Sequence, residues 1–228
     1  DLVRSRGLGD VYKRQTYTNE PISVAIAYDS RNNSKYFAEI TAAVFTANNI
    51  KVFLFEALRA TPELSFAIRH LGCKSGVVLT ASHNPKEYNG YKAYWNDGAQ
   101  VVAPHDKNII AEVEKIASVD DVKWDLKPEH LIHIGADLDE AYMAEVLKQS
   151  ISKDAIARQH DLKIVYTPIH GTGITLIPEL LKRFGFTNVN VVAEQATPDG
   201  NFSTVVYPNP EEACLLYTSP SPRDRTRS

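Results

Sequence analysis

Thr80-Ala81-Ser82-His83-Asn84-Pro85-Lys86-Glu87-Tyr88-Asn89-Gly90-Tyr91-Lys92 follows a short apolar run, Gly76 to Leu79, that reads as a buried strand. A polar loop therefore opens at the carboxyl end of a strand, the edge at which open α/β sheets bind their ligands. The loop carries a hydroxyl (Ser82), an imidazole (His83), an amide (Asn84) and an ammonium (Lys92). Asn84-Pro85 is a turn signal, because proline disfavours helix in the residue before it. Asn89-Gly90 reads as a second turn, which folds Lys92 back toward Ser82.

Three roles are open to Ser82 from these residues alone. It can cap a turn. It can be a hydrolase nucleophile, although its neighbours Thr80 and Pro85 are not the glycines of a nucleophile elbow. It can also carry a phosphoryl group. A phosphoserine bears about −1.5 to −2 charges at pH 7 and three acceptor oxygens, and needs cations and donors nearby. His83, Asn84 and Lys92 are of the right kind.

Upstream, Ile22 to Tyr28 and Val52 to Phe55 read as buried strands. Ser34 reads as the cap of a helix to about Asn48, with Phe37, Ile40, Val44 and Ala47 on one face. Thr61-Pro62 reads as N-cap and first position of a helix ending at Gly72, with Phe66 packed on the sheet. Strand alternating with helix predicts a largely parallel sheet. Arg31, after the first strand, is on spacing alone either an exposed arginine or a support for the Ser82 loop.

Downstream, Tyr91–Trp95 and Gln100–Val102 flank Asn96-Asp97-Gly98 as a predicted hairpin. A helix over 106–116 is predicted to face Ile109, Ile110, Val113 and Ile116 inward. Val119 to His130 reads as irregular; His130 and His133 lack a third metal ligand by spacing. Asp137-Leu-Asp-Glu140 resembles a capping box for a helix to Gln149, and Ser152 can cap a short continuation. A second strand–loop–helix–strand unit starts at Leu162, with Thr167-Pro-Ile-His170-Gly171-Thr-Gly173 as its loop, a helix from Ile174 to Phe184 and a strand over 189–192. The two glycines allow close backbone approach to an anion, or His170 is a buried turn residue. No third glycine completes a dinucleotide fingerprint.

The chain has 228 residues and a formal net charge of −3. Both ends are net basic, so the body between them is more acidic than the whole, which argues against nucleic acid as a general partner. No apolar run approaches the roughly 18 residues of a membrane helix, so no membrane partner is expected. Cys73 and Cys214 match no metal or redox spacing, and reduced thiols in a cytoplasmic protein are the default expectation. Residues 1–15 and 215–228 show no core-facing period and read as non-native tails. The expected division is a first α/β domain over 16–155 and the start of a second over 156–214.

Thr80-Ala-Ser-His-Asn-Pro followed by Asn89-Gly-Tyr-Lys92 closely resembles the phosphoserine loop of the α-D-phosphohexomutases, the family of phosphoglucomutase and phosphomannomutase. Asp29-Ser30-Arg31 is similar to that family's Asp-x-Arg turn. Thr167 to Gly173 resembles the opening of its second domain, and Pro198-Asp-Gly-Asn-Phe202 and Pro208-Asn-Pro-Glu211 extend the likeness to about Ala213. The resemblance implies a mixed, mostly parallel sheet flanked by helices, plus the start of a second similar α/β domain.

It further implies that Ser82 carries the phosphoryl group and that Lys92 is an acid/base or charge stabiliser. His83, Arg31, Asn84 and His170 would support the loop. The substrates implied are a sugar phosphate and a sugar bisphosphate, with hexose 1- and 6-phosphates interconverted; pentose phosphates are the alternative. Mg²⁺ would bind the Ser82 phosphate and three aspartates of an Asp-x-Asp-x-Asp-Arg run that this sequence lacks. A piece without that loop is expected to turn over little, and a non-catalytic anion- or partner-binding module remains the rival reading.

Overall fold

The computed structural model describes residues 22–211. The two predicted tails, and Cys214, lie outside them. The first unit runs β1 (Ser23–Tyr28), α1 (Ser34–Ala47), β2 (Lys51–Phe55), α2 (Thr61–His70), β3 (Ser75–Leu79), β4 (Tyr91–Trp95), α3 (His105–Val113), β5 (Leu131–Ile134) and α4 (Ala136–Lys148). Its sheet has the order β4-β3-β1-β2-β5; only β4 is antiparallel.

Period-two alternation sorts the core into two layers. Val24, Ile26, Val52, Leu54, Val77 and Leu79 face α1 through Ala38, Ala42 and Phe45. Ala25, Ala27, Phe55 and Val78 face α2 through Leu64, Ala67 and Ile68. Trimming a buried phenylalanine such as Phe45 to alanine costs about 3–5 kcal/mol. The chain steps from β1 outward to β2, then returns across β1 to β3. That reversal puts α1 and α2 on opposite faces and makes the carboxyl ends of β1 and β3 the switch point of the sheet.

Several local expectations are corrected. Asn33, in left-handed conformation with φ 65°, is the N-cap of α1, and Ser34 is buried inside the first turn. Ala60 caps α2 and Thr61 is its first residue. Phe66 is half-buried against the core layer that α2 forms with the sheet, and it also meets Tyr142 of α4 at 5.5 Å between ring centroids. Gln100 makes only an isolated bridge to Tyr94, so the second hairpin strand does not form. Helix α3 buries nothing deeply, and Ile110 is 56% exposed. Gly135 caps α4 without a side-chain bond, and Ser152 likewise makes none at α5 (Lys153–Arg158). The segment read as irregular ends in β5, a fifth strand beside β2 that carries His133.

The second unit pairs β6 (Ile164–Tyr166) with β7 (Val189–Val191) in parallel. Between them Thr172–Thr175 form a 3₁₀ turn before α6 (Ile177–Phe184). Met143 of α4 packs against Leu176 and Leu180, so α4 touches both units.

A buried ionic cluster joins α2 to α4. Arg59 donates from Nε and Nη2 to the two oxygens of Asp139 at 2.8 and 2.7 Å. Glu63, fully buried, lies 3.7 Å from Arg59 Nε, and its carboxyl oxygens lack a hydrogen-bond partner among the described residues. Burial foremost, and the Asp139 carboxylate next, push Glu63 up to about 8. An unfolded chain ionises this group near the ordinary value of 4.5. From there to about 8 the folded state holds the extra proton, so stability falls as pH rises through that window. Glu63→Gln, neutral throughout, is expected to flatten the decline of melting temperature between pH 5 and 8. Parallel melting curves for the two proteins against pH would refute a buried protonated Glu63.

Candidate active site

The loops that follow β1 and β3 meet at the switch point, and Arg31 binds one to the other. Its guanidinium is buried at the end of Asp29-Ser30-Arg31. Nη1 donates to the carbonyls of Pro85 and Tyr88, each at 2.9 Å. Nη2 donates to the carbonyls of Ser82 at 2.9 Å and Asn84 at 2.5 Å. Asp29 supplies the counter-charge, with Oδ2 at 3.4 Å from Nε. Burial holds the Arg31 guanidinium below the ordinary arginine value, partly offset by Asp29. Arginine suits this position because its planar fork points donors in two directions at once.

The far end of the loop is tied to the start of α1. Ser34 Oγ donates to Asp29 Oδ1 at 2.7 Å, and Asn89 Nδ2 donates to Ser34 Oγ at 2.9 Å and to the Asn32 carbonyl at 3.2 Å. Thr80 N–H donates to the Gly90 carbonyl at 3.0 Å. A Cβ on Gly90 would stand 2.7 Å from the Thr80 carbonyl oxygen, so only glycine allows this closure. Asn89-Gly90 is thus the clasp of a long loop between Leu79 and Tyr91, not a two-residue hairpin turn.

Within that frame Ser82 is exposed and takes a left-handed conformation, φ 58°. Its N–H donates to Thr80 Oγ1 at 3.0 Å, and Asn84 N–H to the Ala81 carbonyl at 3.1 Å. The carbonyl side of the loop faces Arg31, which leaves Ser82 Oγ on the open side, 3.3 Å from His83 Nδ1. At that distance the imidazole can share a proton with the hydroxyl or a phosphate on it. An exposed oxygen beside a proton carrier, on a backbone held from behind, can accept and release a group with little rearrangement.

The structure brings Ser82, His83, Asn84 and Arg31 together, with Asn84 contributing its carbonyl. Lys92 lies on β4 opposite Val78 of β3, and no hydrogen bond joins it to Ser82 among the described residues. His170 is buried elsewhere. Its Nδ1 pairs with the Thr197 carbonyl and its Nε2 with Thr204 Oγ1, each at 2.8 Å. Sequence reasoning missed Asp29, Ser34 and Asn89 as loop holders. Asp29 and Asn89 stood inside the quoted motifs, but their partners are a helix start and a distant loop, which spacing does not show. It also missed Phe202, whose ring centroid lies 5.3 Å from Arg31 Cζ.

Residues 4–120 match the family model for phosphoglucomutase/phosphomannomutase alpha/beta/alpha domain I, and residues 140–221 match domain II. The chain belongs to the phosphoglucomutase/phosphomannomutase family. A phosphoglucomutase of Staphylococcus haemolyticus is 40% identical over 190 residues, 83% of this chain and 35% of that protein. A human phosphopentomutase is 35% identical over 199 residues, 83% of this chain and 32% of that protein. A crystal structure from Thermus thermophilus, assigned as a phosphomannomutase, superposes with a TM-score of 0.73 at 26% identity. It is covered over 47% of its length by 96% of this chain. The chain therefore spans 32–47% of the length of these three proteins.

Among the described residues no three His, Cys, Asp or Glu side chains converge to hold a metal ion, His130 and His133 included. No helix among them is long and apolar enough to cross a membrane. Arg31→Met would leave Asp29 without its cation and the loop carbonyls without donors. Removing one partner of a buried ion pair costs about 3–5 kcal/mol. Urea denaturation is expected to show a loss of about that size, with Arg31→Lys recovering only part because an ammonium lacks the planar fork. An unchanged midpoint in Arg31→Met would show that the loop does not depend on it.

Proposed function

We propose that this chain is the serine-bearing part of a phosphosugar mutase, with Ser82 as the phosphoryl carrier. The observation that carries the reading is the exposed, left-handed Ser82 at the switch point, fastened through its carbonyl to a buried Arg31. In the proposed cycle the Oγ–P bond of phosphorylated Ser82 breaks as a sugar hydroxyl forms its own bond to phosphorus. The hydroxyl proton leaves to a nearby base. Ser82 Oγ takes up a proton as its phosphoryl leaves. The sugar bisphosphate then turns over, and Oγ gives up that proton as it bonds to the other phosphorus. The bond from that phosphorus to the sugar oxygen breaks, the oxygen taking the proton. Hexose 1- and 6-phosphates are the proposed pair; the human relative named phosphopentomutase makes pentose phosphates the second class to assay.

His83, 3.3 Å from Ser82 Oγ, holds a proton for the serine or its phosphate. Asn84 and Arg31 keep the loop in register. Lys92, one strand away, is assigned to charge stabilisation of the transferring oxygens. His170 supports the site from the second unit. The two α/β units are proposed to divide near residue 155. Mg²⁺ is part of the proposal for the whole enzyme. The described residues do not form its site; they offer the ion at most the Ser82 phosphate, and no step here is routed through it. Phosphoryl transfer rests on positioning and charge stabilisation, so this stretch alone is expected to bind an anion and turn over little.

In a chain extended to the length of its relatives, sugar bisphosphate is expected to leave its phosphoryl on Ser82, detected by mass spectrometry. Ser82→Ala should abolish both labelling and mutase activity. Lys92→Ala should lower kcat by about 10²–10³, the usual cost of removing a donor to developing charge. Lys86→Ala, on the outer part of the loop, should change kcat little. Full activity in Ser82→Ala would refute the carrier role, and equal small effects of the two lysine changes would remove Lys92 from it.

A further inference from the structure

The guanidinium that holds the Ser82 loop has a second neighbour, and it comes from the other unit. Phe202 is buried, takes a left-handed φ of 49°, and lays its ring 5.3 Å from Arg31 Cζ. The turn that carries it is seated on the residue after Arg31. Asn32 Nδ2 donates to Asn201 Oδ1 at 3.1 Å, and a Cβ on Gly200 would stand 2.5 Å from the Asn32 backbone nitrogen. Asp199 organises the turn from within, accepting from the N–H groups of Asn201 at 2.8 Å and Ser203 at 3.0 Å. Both ends are clamped to one buried imidazole, the Thr197 carbonyl on His170 Nδ1 and Thr204 Oγ1 on Nε2.

These contacts make a continuous path from His170 through the 197–204 turn and Phe202 to Arg31, and from Arg31 to the carbonyls of Ser82, Asn84, Pro85 and Tyr88. We propose that Phe202 is a positioning residue of the phosphoryl-carrier site. Its ring fixes the plane of the Arg31 guanidinium, and His170 fixes Phe202, so the second unit sets the conformation of the Ser82 loop. A desolvated guanidinium is attracted to the face of an aromatic ring by the ring's quadrupole. Nη1 and Nη2 are held at the tip by the four carbonyls, but Nε makes no hydrogen bond among the described residues and lies 3.4 Å from Asp29 Oδ2, so the Phe202 ring adds a support on the guanidinium's face that the edge contacts do not give. The site's importance for catalysis rests on the reading of Ser82 as carrier, but the coupling itself does not.

The test reads loop conformation, not turnover. In the 228-residue chain, amide hydrogen exchange is followed at Asn84 and Tyr88, whose N–H groups donate to the Ala81 and Pro85 carbonyls. Phe202→Leu keeps apolar bulk and loses the π face; it is expected to speed exchange at these amides by about tenfold, with core strands β1 and β3 unchanged. Phe202→Tyr should restore wild-type protection. Asn201→Ala, at the exposed rim, should shift the same amides by a smaller factor, which keeps the test alive if the Leu variant loses stability throughout. Unchanged loop protection in Phe202→Leu, or uniform loss across the chain with no effect of Asn201→Ala, would overturn the proposal. If the loop responds as expected while Ser82 takes no phosphoryl from a sugar bisphosphate in the extended chain, the carrier reading fails and the coupling stands.

Discussion

One buried cation organises the loop at the carboxyl ends of β1 and β3. Placing a guanidinium out of water is expensive, and the cost is offset only if its donors are used. Arg31 uses them on the carbonyls of Ser82, Asn84, Pro85 and Tyr88, with Asp29 as counter-ion. Hydrogen bonds to charged groups contribute about 1.5–3 kcal/mol each. That is enough to hold a non-repetitive loop whose own backbone bonds are few. The same set of contacts orients the loop: carbonyls turned inward to the cation leave the side chains of Ser82 and His83 outward.

The magnitudes also explain how Ser82 keeps a left-handed backbone. For an L-residue other than glycine that conformation costs roughly 1–2 kcal/mol. The Arg31 bond to the Ser82 carbonyl and the bond from its N–H to Thr80 Oγ1 together exceed that cost. The strained residue is therefore stable as long as Arg31 is in place. Topology supplies the rest. Because β1 and β3 are sheet neighbours that lie far apart in sequence, their carboxyl ends deliver Arg31 and Ser82 to the same place without either strand bending.

Most of the frame was legible in the sequence. Buried parallel strands read as apolar runs, so β1, β2 and β3 were found to within a residue or so, and the motif around Ser82 announced the loop. What escaped detection shares a physical cause. Strand β5 is short and half-exposed, with His133 in its middle, so it has no apolar run to read. Glu63 and Arg59 look like an ordinary exposed i,i+4 pair at the start of a helix, and only Asp139 on α4 reveals that they are buried. The Ile109–Ile116 stripe has helical spacing, yet no element stands opposite it among the described residues to cover it deeply. At the site, Arg31 was placed by resemblance, but its four acceptors are backbone groups. Carbonyls carry no sequence signature, so the number and direction of its bonds could not be read from side chains. The fold of Asn89 onto Ser34 was hidden for a related reason: a predicted capping serine sits inside the first turn of α1 and relays a bond from the Asn89 amide to Asp29.

The two matched domain models meet at this arginine. Domain I provides Arg31 and the serine loop, and domain II provides the turn that carries Phe202. If Ser82 is the carrier proposed above, it has to be held still for transfer and yet remain exposed to a substrate that must leave. Locking it from its solvent side would defeat the second need. Here the Arg31 contacts come from beneath, through main-chain oxygens, and the cation behind them is itself backed by an aromatic face from another unit. Under the proposed coupling, a shift of that unit would loosen the serine without any group having to pass through the substrate's space. On the proposed reading, the position of the second unit would enter the chemistry through the orientation of one guanidinium plane.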